Sequence, residues 1–152
     1  MAKKDFGEAE RLLYIFTKEF GMIKAVARGV RYLKSKLRPN LDLFYYNNFS
    51  LIRAKDVWKI TDANGIANIK NPESLKIFSR IAIFLTRMIK GEEKNDFIWR
   101  ELVSFSKGPN EKDAEIFFIA KILKNLGYLS DENLPKKQLI VSINKAIKES
   151  ML

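Results

Sequence analysis

The chain has 152 residues, of which 47% are hydrophobic and 30% charged, and it carries a formal net charge of +10. This balance predicts a globular fold with a real core rather than a disordered chain. The sequence contains neither cysteine nor histidine, which excludes disulfides, thiolate catalysis and metal sites built on these ligands.

Carboxylate chemistry remains open, but no two acidic residues stand out in an apolar context as a tuned acid and base. We therefore predict that the protein is not an enzyme and needs no metal or cofactor. The longest strongly apolar run, Ile81 to Leu85, is far below the roughly 20 residues of a membrane-spanning helix. The first ten residues also lack the apolar stretch of a secretory signal, so we expect a cytoplasmic protein.

Strand patterns dominate the first 65 residues. Arg11–Thr17 and Met22–Gly29 are short apolar or alternating runs joined by a polar turn that ends in Gly21, which predicts a β-hairpin. Leu41–Ala54 is rich in aromatic and branched residues, and Val57–Ala63 follows after a short polar break. The sequence therefore predicts four or five strands here.

Helical patterns follow. Asn71 before Pro72 has the signature of an N-cap and a first-turn proline, opening a helix that we expect to run to about Lys90. Apolar spacing predicts three more helices, over Asp96–Phe105, from near Asn110 to Gly127, and over Lys136–Ser150. Strands followed by helices indicate an α+β fold, with domains at residues 1–65 and 66–152.

Positive charge is concentrated in one stretch. Residues 1–65 hold 13 Lys and Arg against 7 Asp and Glu, while residues 66–152 hold 15 against 11. No acid occurs between Glu19 and Asp42, an interval that contains the basic segment, which we define as Ala27 to Leu41. Such a field attracts polyanions, above all nucleic acid. The candidate nucleic-acid-binding residues are Lys24, Arg28, Arg31, Lys34, Lys36 and Arg38.

A barrel of about five short antiparallel strands is the OB architecture, which binds single strands by combining cations with aromatic rings. The basic segment is followed by four such rings, Phe44, Tyr45, Tyr46 and Phe49. Alternation along a strand puts Phe44 and Tyr46 on one face and Tyr45 on the other, so at least one ring can face solvent. For any single ring, a place in the core is the favoured alternative.

The stretch DFGEAERLLYIFTKEFGMIKAVARGVRYLKSKLRPNLDLF, from Asp5 to Phe44, resembles the N-terminal OB domain of the RecO family of bacterial recombination mediators. The shared features are a Gly-Glu-Ala-Glu turn, a strand ending in Thr-Lys-Glu-Phe-Gly, an Ala-Val-Ala-Arg-Gly strand end and a Lys-Ser-Lys-Leu-Arg segment. The likeness continues in VWKITDA, in FFIAKILKNLGYL and in INKAIKESML near the end of the chain.

The resemblance implies a nucleoid-associated mediator of DNA repair. Such a protein binds single- and double-stranded DNA, anneals complementary strands, and helps to load RecA recombinase with RecR and single-strand binding protein. It further implies that the helical half receives the acidic, hydrophobic tail of single-strand binding protein. The candidate cationic rim for that tail is Lys121, Lys124, Lys136 and Lys137, although lysines that complement helix dipoles are the favoured interpretation.

Two features depart from the family pattern. Only MAKKDF precedes the Gly-Glu turn, so we expect either that half of the first strand is missing or that the start codon is misassigned. Many members also carry a four-cysteine zinc module after the Leu-Gly-Tyr helix, whereas here SDENLPKKQL passes directly to the last helix. The resemblance is therefore to a reduced form of the family.

An alternative function is a non-enzymatic protein-interaction adaptor whose basic loop is incidental. Loss of polyanion affinity on neutralising the basic segment would distinguish the two functions. Binding to an anionic membrane is less favoured, because the segment has the pattern of a strand and turn rather than of an amphipathic basic helix.

Overall fold

A computed structural model of the protein describes residues 2–107 and 113–150. Five strands come first: β1 (Ala2–Phe6), β2 (Glu10–Thr17), β3 (Gly21–Ala27), β4 (Tyr45–Ala54) and β5 (Val57–Asn68). The helices are α1 (Pro72–Met88), α2 (Asp96–Ser106), α3 (Ala114–Asn125) and α4 (Lys136–Ser150). The predicted α+β fold, with strands followed by helices, is confirmed.

The strands form one sheet in the order β1-β2-β3-β5-β4. It is mixed rather than wholly antiparallel, because β3 and β5 pair in parallel at Ala25 and Trp58. This happens because the chain crosses over between β3 and β4, so that the β4–β5 hairpin returns beside β3. In the part of the chain that is described, β1 and β4 are the open edges, and a contact of 2.6 Å from Lys3 Nζ to Asp42 Oδ1 spans the gap between β1 and the segment before β4. The result is a partly open five-stranded barrel of the OB kind.

The segment expected to leave the first strand incomplete does form a strand. β1 pairs with β2 along its whole length, from Ala2 opposite Tyr14 to Phe6 opposite Glu10. It is five residues long against eight in β2, so the last three residues of β2 extend beyond it.

Two strand boundaries differ from the prediction. Leu41 to Phe44 do not extend β4, because Leu41 turns into the barrel core and Phe44 has a left-handed φ of 65°. β5 does not end before Asn64-Gly65 but continues to Asn68, with a register shift at Tyr46/Asn47. Gly65 serves close packing here rather than a turn, since a Cβ on it would lie 3.2 Å from Asn40 Oδ1.

The helices follow the capping signals. Asn71 Oδ1 accepts hydrogen bonds from the backbone N–H groups of Glu73 and Ser74, at 2.9 and 3.1 Å, as expected of an N-cap. α4 has the predicted bounds and α2 extends one residue further than expected. The predicted start of α3 at Asn110 lies outside the described residues. Over those residues, no helix is both long and apolar enough to cross a bilayer.

Two apolar cores hold the molecule together. The barrel core consists of Leu13, Ile23, Ala25, Ala27, Val30, Leu41, Ile60 and Ala63. The helical core is formed by side chains of all four helices, and Phe16 and Met22 of the sheet are buried in it as well. The division into domains at residues 1–65 and 66–152 stays a prediction, but the sheet contributes directly to the core of the helices.

The tip of the β2–β3 hairpin packs against the loop between α1 and α2. Gly21 has a φ of 65°, and a Cβ on it would overlap the backbone carbonyl of Glu93. Beside it, the rings of Phe20 and Trp58 lie 4.7 Å apart, and Trp58 Nε1 donates a hydrogen bond to Glu92 Oε1 at 3.1 Å. This contact fixes the sheet against the start of α2.

We expect Gly21→Ala to lower the free energy of unfolding by roughly 3 kcal/mol, because the substitution adds a backbone overlap to the strain of a left-handed alanine. Gly7→Ala is the matched control: its φ is 58°, and a Cβ there meets no atom closer than 3.8 Å. The control should lose only about 1 kcal/mol. Urea denaturation of both variants measures the difference, and equal losses would contradict the close approach at Glu93.

Candidate nucleic-acid interface

The basic segment leaves β3 at Ala27 and is fastened to the barrel by apolar anchors. Val30 and Leu41 are each only 1% exposed and belong to the barrel core, and Leu37 packs against the same core from outside. Burying a residue of this size contributes about 1.5–3 kcal/mol. Burial of the anchors therefore outweighs the repulsion among the like charges of the segment, because each exposed charge pair changes the free energy of folding by less than about 1 kcal/mol.

Hydrogen bonds to backbone carbonyl groups fix the segment further. Arg31 N–H donates to the carbonyl of Ala9 at 3.4 Å, which ties the segment to the β1–β2 turn. At the other end, Asn40 Nδ2 donates to the carbonyl of Ala63 at 2.7 Å, and Asn47 Nδ2 donates to the carbonyl of Asn40 at 2.8 Å. The segment is therefore a shaped surface feature of the barrel and not a free loop.

The six candidate cations differ in what they contact. Lys24 lies on β3, with its Nζ 6.0 Å from the centre of the Tyr14 ring. Arg28 forms an ion pair of 3.2 Å with Glu10, and Arg31 Nη1 donates to the carbonyl of Gly7 at 3.3 Å. Two of the six are therefore partly engaged with the β1–β2 turn, which reduces the charge they present outward.

The remaining three cations are the most available. Lys34, Lys36 and Arg38 are all exposed, and none of them is in an ion pair with any described residue. They occur within five positions of the chain, in a stretch that the anchors and hydrogen bonds already hold in shape. The basic segment therefore presents this triad of cations outward, with no acidic partner among the described residues.

Asp5 lies between Arg11 and Arg31, near the start of the basic segment. Arg11 Nε donates to Asp5 Oδ1 at 2.6 Å, and Arg31 Nε is 4.0 Å from the other carboxylate oxygen. The hydrogen bond from Arg11 is the main reason that the pKa of Asp5 falls below its ordinary value, and the charge of Arg31 adds to it. Asp5 is thus held ionised, chiefly as the partner of Arg11.

The four rings that follow the basic segment are half-buried rather than open. Phe44 packs edge-on against Phe78 of α1 with ring centres 5.6 Å apart, and Tyr46 packs against Trp99 of α2 at 5.8 Å. Phe49 packs against the barrel core. The helices therefore cover Phe44 and Tyr46, and the core alternative describes these two rings and Phe49 better.

These rings instead line a groove between β4, the β2–β3 turn and α2, with a volume of about 520 Å³. The sequence patterns did not place Phe20 or Trp99 at a site, because each fits an ordinary turn or helix pattern. Lys18 and Glu19 contribute one charge of each sign to its lining. The aromatic lining consists of Phe16, Phe20, Phe44, Tyr45, Tyr46, Phe49, Phe78 and Trp99.

The four lysines of the candidate rim fall into two separate pairs, with Lys121 and Lys124 three residues apart on α3 and Lys136 and Lys137 at the start of α4. Lys121 pairs with Glu101 at 3.1 Å, Lys124 with Glu132 at 3.3 Å, and Lys136 with Asp113 at 2.7 Å. Asp113 and Lys124 mark opposite ends of α3, about 16 Å apart at 1.5 Å per residue. None of the four lines the aromatic groove.

Over the described ranges, no cluster of three or more acidic residues is arranged to hold a metal ion.

The geometry at Asp5 predicts which of the two arginines lowers its pKa more. Arg11→Gln should raise the pKa of Asp5 towards its ordinary value more than Arg31→Gln does, because Arg11 alone donates a short hydrogen bond to it. A lowered folded-state pKa means that this contact stabilises the fold above the ordinary carboxyl range near ~4 and loses its effect as the pH falls through the folded-state pKa. Carboxyl-carbon NMR titration of both variants measures the shift, and a larger effect of Arg31→Gln would refute the ranking.

Comparison with known proteins identifies the family. Residues 1–69 match the family described as Recombination protein O N terminal. The chain is 31% identical over 134 residues to a DNA repair protein RecO of Dehalococcoides mccartyi, which covers 83% of this chain and 53% of the relative. It is 45% identical over 58 residues to a protein of the same name from Synechocystis sp., covering 38% of this chain and 21% of that relative. The chain thus spans about half the length, or less, of these curated relatives. Together with the five strands and the basic segment, these matches show that residues 1–69 are the N-terminal domain of the RecO family.

Proposed function

We propose that the protein acts in DNA repair and recombination by binding DNA, single strands above all, through the basic segment. The observation that carries this proposal is the exposed triad of Lys34, Lys36 and Arg38, held in shape on the barrel and unpaired among the described residues. Family membership supports it, because the relatives are named as DNA repair proteins.

The proposed mode of binding follows from the chemistry of the triad. Lysine and arginine contact phosphates, which position a protein on a nucleic acid without reading its bases. Sequence preference should therefore be weak. By neutralising phosphates, the bound cations reduce the repulsion between two strands, which favours the annealing of complementary single strands. No step of this function needs an enzymatic group, a metal or a cofactor.

Contacts with other proteins stay proposals that rest on the family resemblance. They comprise a RecR-like protein, the tail of single-strand binding protein and, indirectly, RecA recombinase. The tail is acidic and hydrophobic, so it needs an apolar pocket with cations nearby. Because Lys121, Lys124 and Lys136 are each engaged with an acid, a tail bound at these lysines would have to displace those acids.

Isothermal titration calorimetry with a tail peptide tests that contact. If the tail binds at the four lysines, replacing Lys121, Lys124, Lys136 and Lys137 with Gln should weaken peptide binding. Peptide binding by the parent protein should also weaken as the salt concentration rises, because the contact is between opposite charges. Absence of any heat at high peptide concentration would remove this partner from the proposal.

The DNA-binding proposal is tested by the triple variant Lys34→Gln, Lys36→Gln and Arg38→Gln. A plot of log affinity for single strands against log salt concentration should be less steep for this variant than for the parent protein. The slope should be smaller by about 2, at roughly 0.7 per lost contact. The annealing rate should fall in parallel. The melting temperature should stay nearly unchanged, because exposed charges contribute little to stability. Fluorescence anisotropy over a salt series and an annealing assay measure the first two effects.

A matched control removes the same charges elsewhere. Lys90→Gln, Arg100→Gln and Lys148→Gln replace two lysines and one arginine at exposed positions outside the sheet. This control should keep the salt slope and the annealing rate. If both triple variants bind DNA like the parent protein, the basic segment is incidental and the adaptor function gains support.

A further inference from the structure

The basic segment carries two exposed apolar residues, Tyr32 and Leu33, which we call the tip of the segment. Its charge pattern does not explain why they are exposed. Leu33 retains 90% of its accessible surface and Tyr32 retains 61%, in contrast to the anchors Val30 and Leu41 of the same segment. A leucine this exposed gains almost nothing of the roughly 1.5–3 kcal/mol that full burial would contribute. The tip is therefore an apolar surface without a partner among the described residues.

The tip is held in place rather than loose. Tyr32 N–H donates to the carbonyl of Gly29 at 3.2 Å, and Ser35 N–H donates to the carbonyl of Tyr32 at 3.1 Å, so that two turns bracket the tip. A Cβ on Gly29 would lie 3.4 Å from the Tyr32 ring, which shows that one side of the ring rests near the backbone of Gly29. The rest of the ring and the whole of Leu33 face outward.

Charge surrounds the tip on both sides along the chain. Arg31 precedes Tyr32, and Lys34 and Lys36 follow Leu33, all exposed and with no acidic residue within the segment. A ligand of this surface must therefore offer negative charges next to flat apolar groups. A single strand of DNA has this combination, with phosphates along its backbone and bases whose faces stack on aromatic rings.

We propose that Tyr32 and Leu33 contact unstacked bases of single-stranded DNA, with Tyr32 stacking on a base and Leu33 packing beside it, while the neighbouring cations hold the phosphates. This inference rests on the proposed function and adds to it a contact with bases. The half-buried rings of β4 and the groove are not required for this contact. The tip gives the protein a means to distinguish unpaired strands from duplex, whose bases are stacked inside.

DNA that lacks bases distinguishes contacts with bases from contacts with phosphates. We compare the affinity of the full chain for a single strand with its affinity for a strand of equal length that lacks bases, over a salt series. The parent protein should bind the abasic strand about tenfold more weakly, as expected for the loss of one stacked base. The double variant Tyr32→Ser, Leu33→Ser should bind both strands equally well, with an unchanged salt slope, because its cations remain.

The control variant is Tyr128→Ser, Val141→Ser, which removes one exposed aromatic and one exposed aliphatic side chain from the helical half. It should keep the tenfold preference. If the parent protein binds neither strand, the proposed function fails. If it binds both strands equally, or if the tip variant keeps the preference, the tip contact is overturned and the proposed function stands.

Anionic vesicles test a different ligand, because exposed apolar residues among cations can also bind a lipid surface. Sedimentation with vesicles of phosphatidylserine and phosphatidylcholine measures this directly. Vesicle binding that depends on Tyr32 and Leu33, without any preference for DNA with bases, would assign the tip to membranes and overturn the base contact.

Discussion

Burial of Val30 and Leu41 in the barrel core is the interaction on which the surface chemistry depends. Between these two anchors the chain carries Arg31, Lys34, Lys36 and Arg38, whose mutual repulsion favours an extended, disordered loop. Burial of two apolar residues contributes several kcal/mol in total, at about 1.5–3 kcal/mol each, whereas exposed like charges oppose it by less. The anchors prevail, and the chain is forced to present its cations and its apolar tip in one arrangement.

Two acids that flank the β1–β2 turn compensate part of this repulsion. Glu10 and Asp5 lie opposite the start of the basic segment and pair with Arg28 and, more distantly, with Arg31. They reduce repulsion where the segment leaves the barrel and leave Lys34, Lys36 and Arg38 uncompensated further out. This arrangement, with paired cations near the barrel and unpaired cations further out, supports the proposal that a polyanion binds at the exposed part of the segment.

The position of α2 depends on a second close contact, at the tip of the β2–β3 hairpin. Because Gly21 has no side chain, the backbone at Glu93 approaches it directly, and Trp58 binds Glu92 beside this point. α2 then runs across the start of β4 and covers Tyr46 with Trp99. The rings that follow the basic segment therefore become groove walls, and the role of contacting bases falls to Tyr32 at the tip.

What the sequence determined by itself is local. Asn71 and Pro72 set the start of α1, apolar spacing set the helices, and the absence of acids between Glu19 and Asp42 located the basic segment, because capping, periodicity and charge are properties of neighbouring residues. The tertiary structure decided what depends on partners distant in the chain. Leu41 has the apolar pattern of a strand but is turned into the core, and Asn64-Gly65 has the signature of a turn but continues a strand opposite β4. Arg28 is ion-paired and Lys36 is exposed without an ion pair among the described residues, because Glu10 lies beside Arg28. Burial and ion pairing between remote residues are fixed only when the sheet and the helices pack together, and so the tertiary structure decided which cations and rings are exposed.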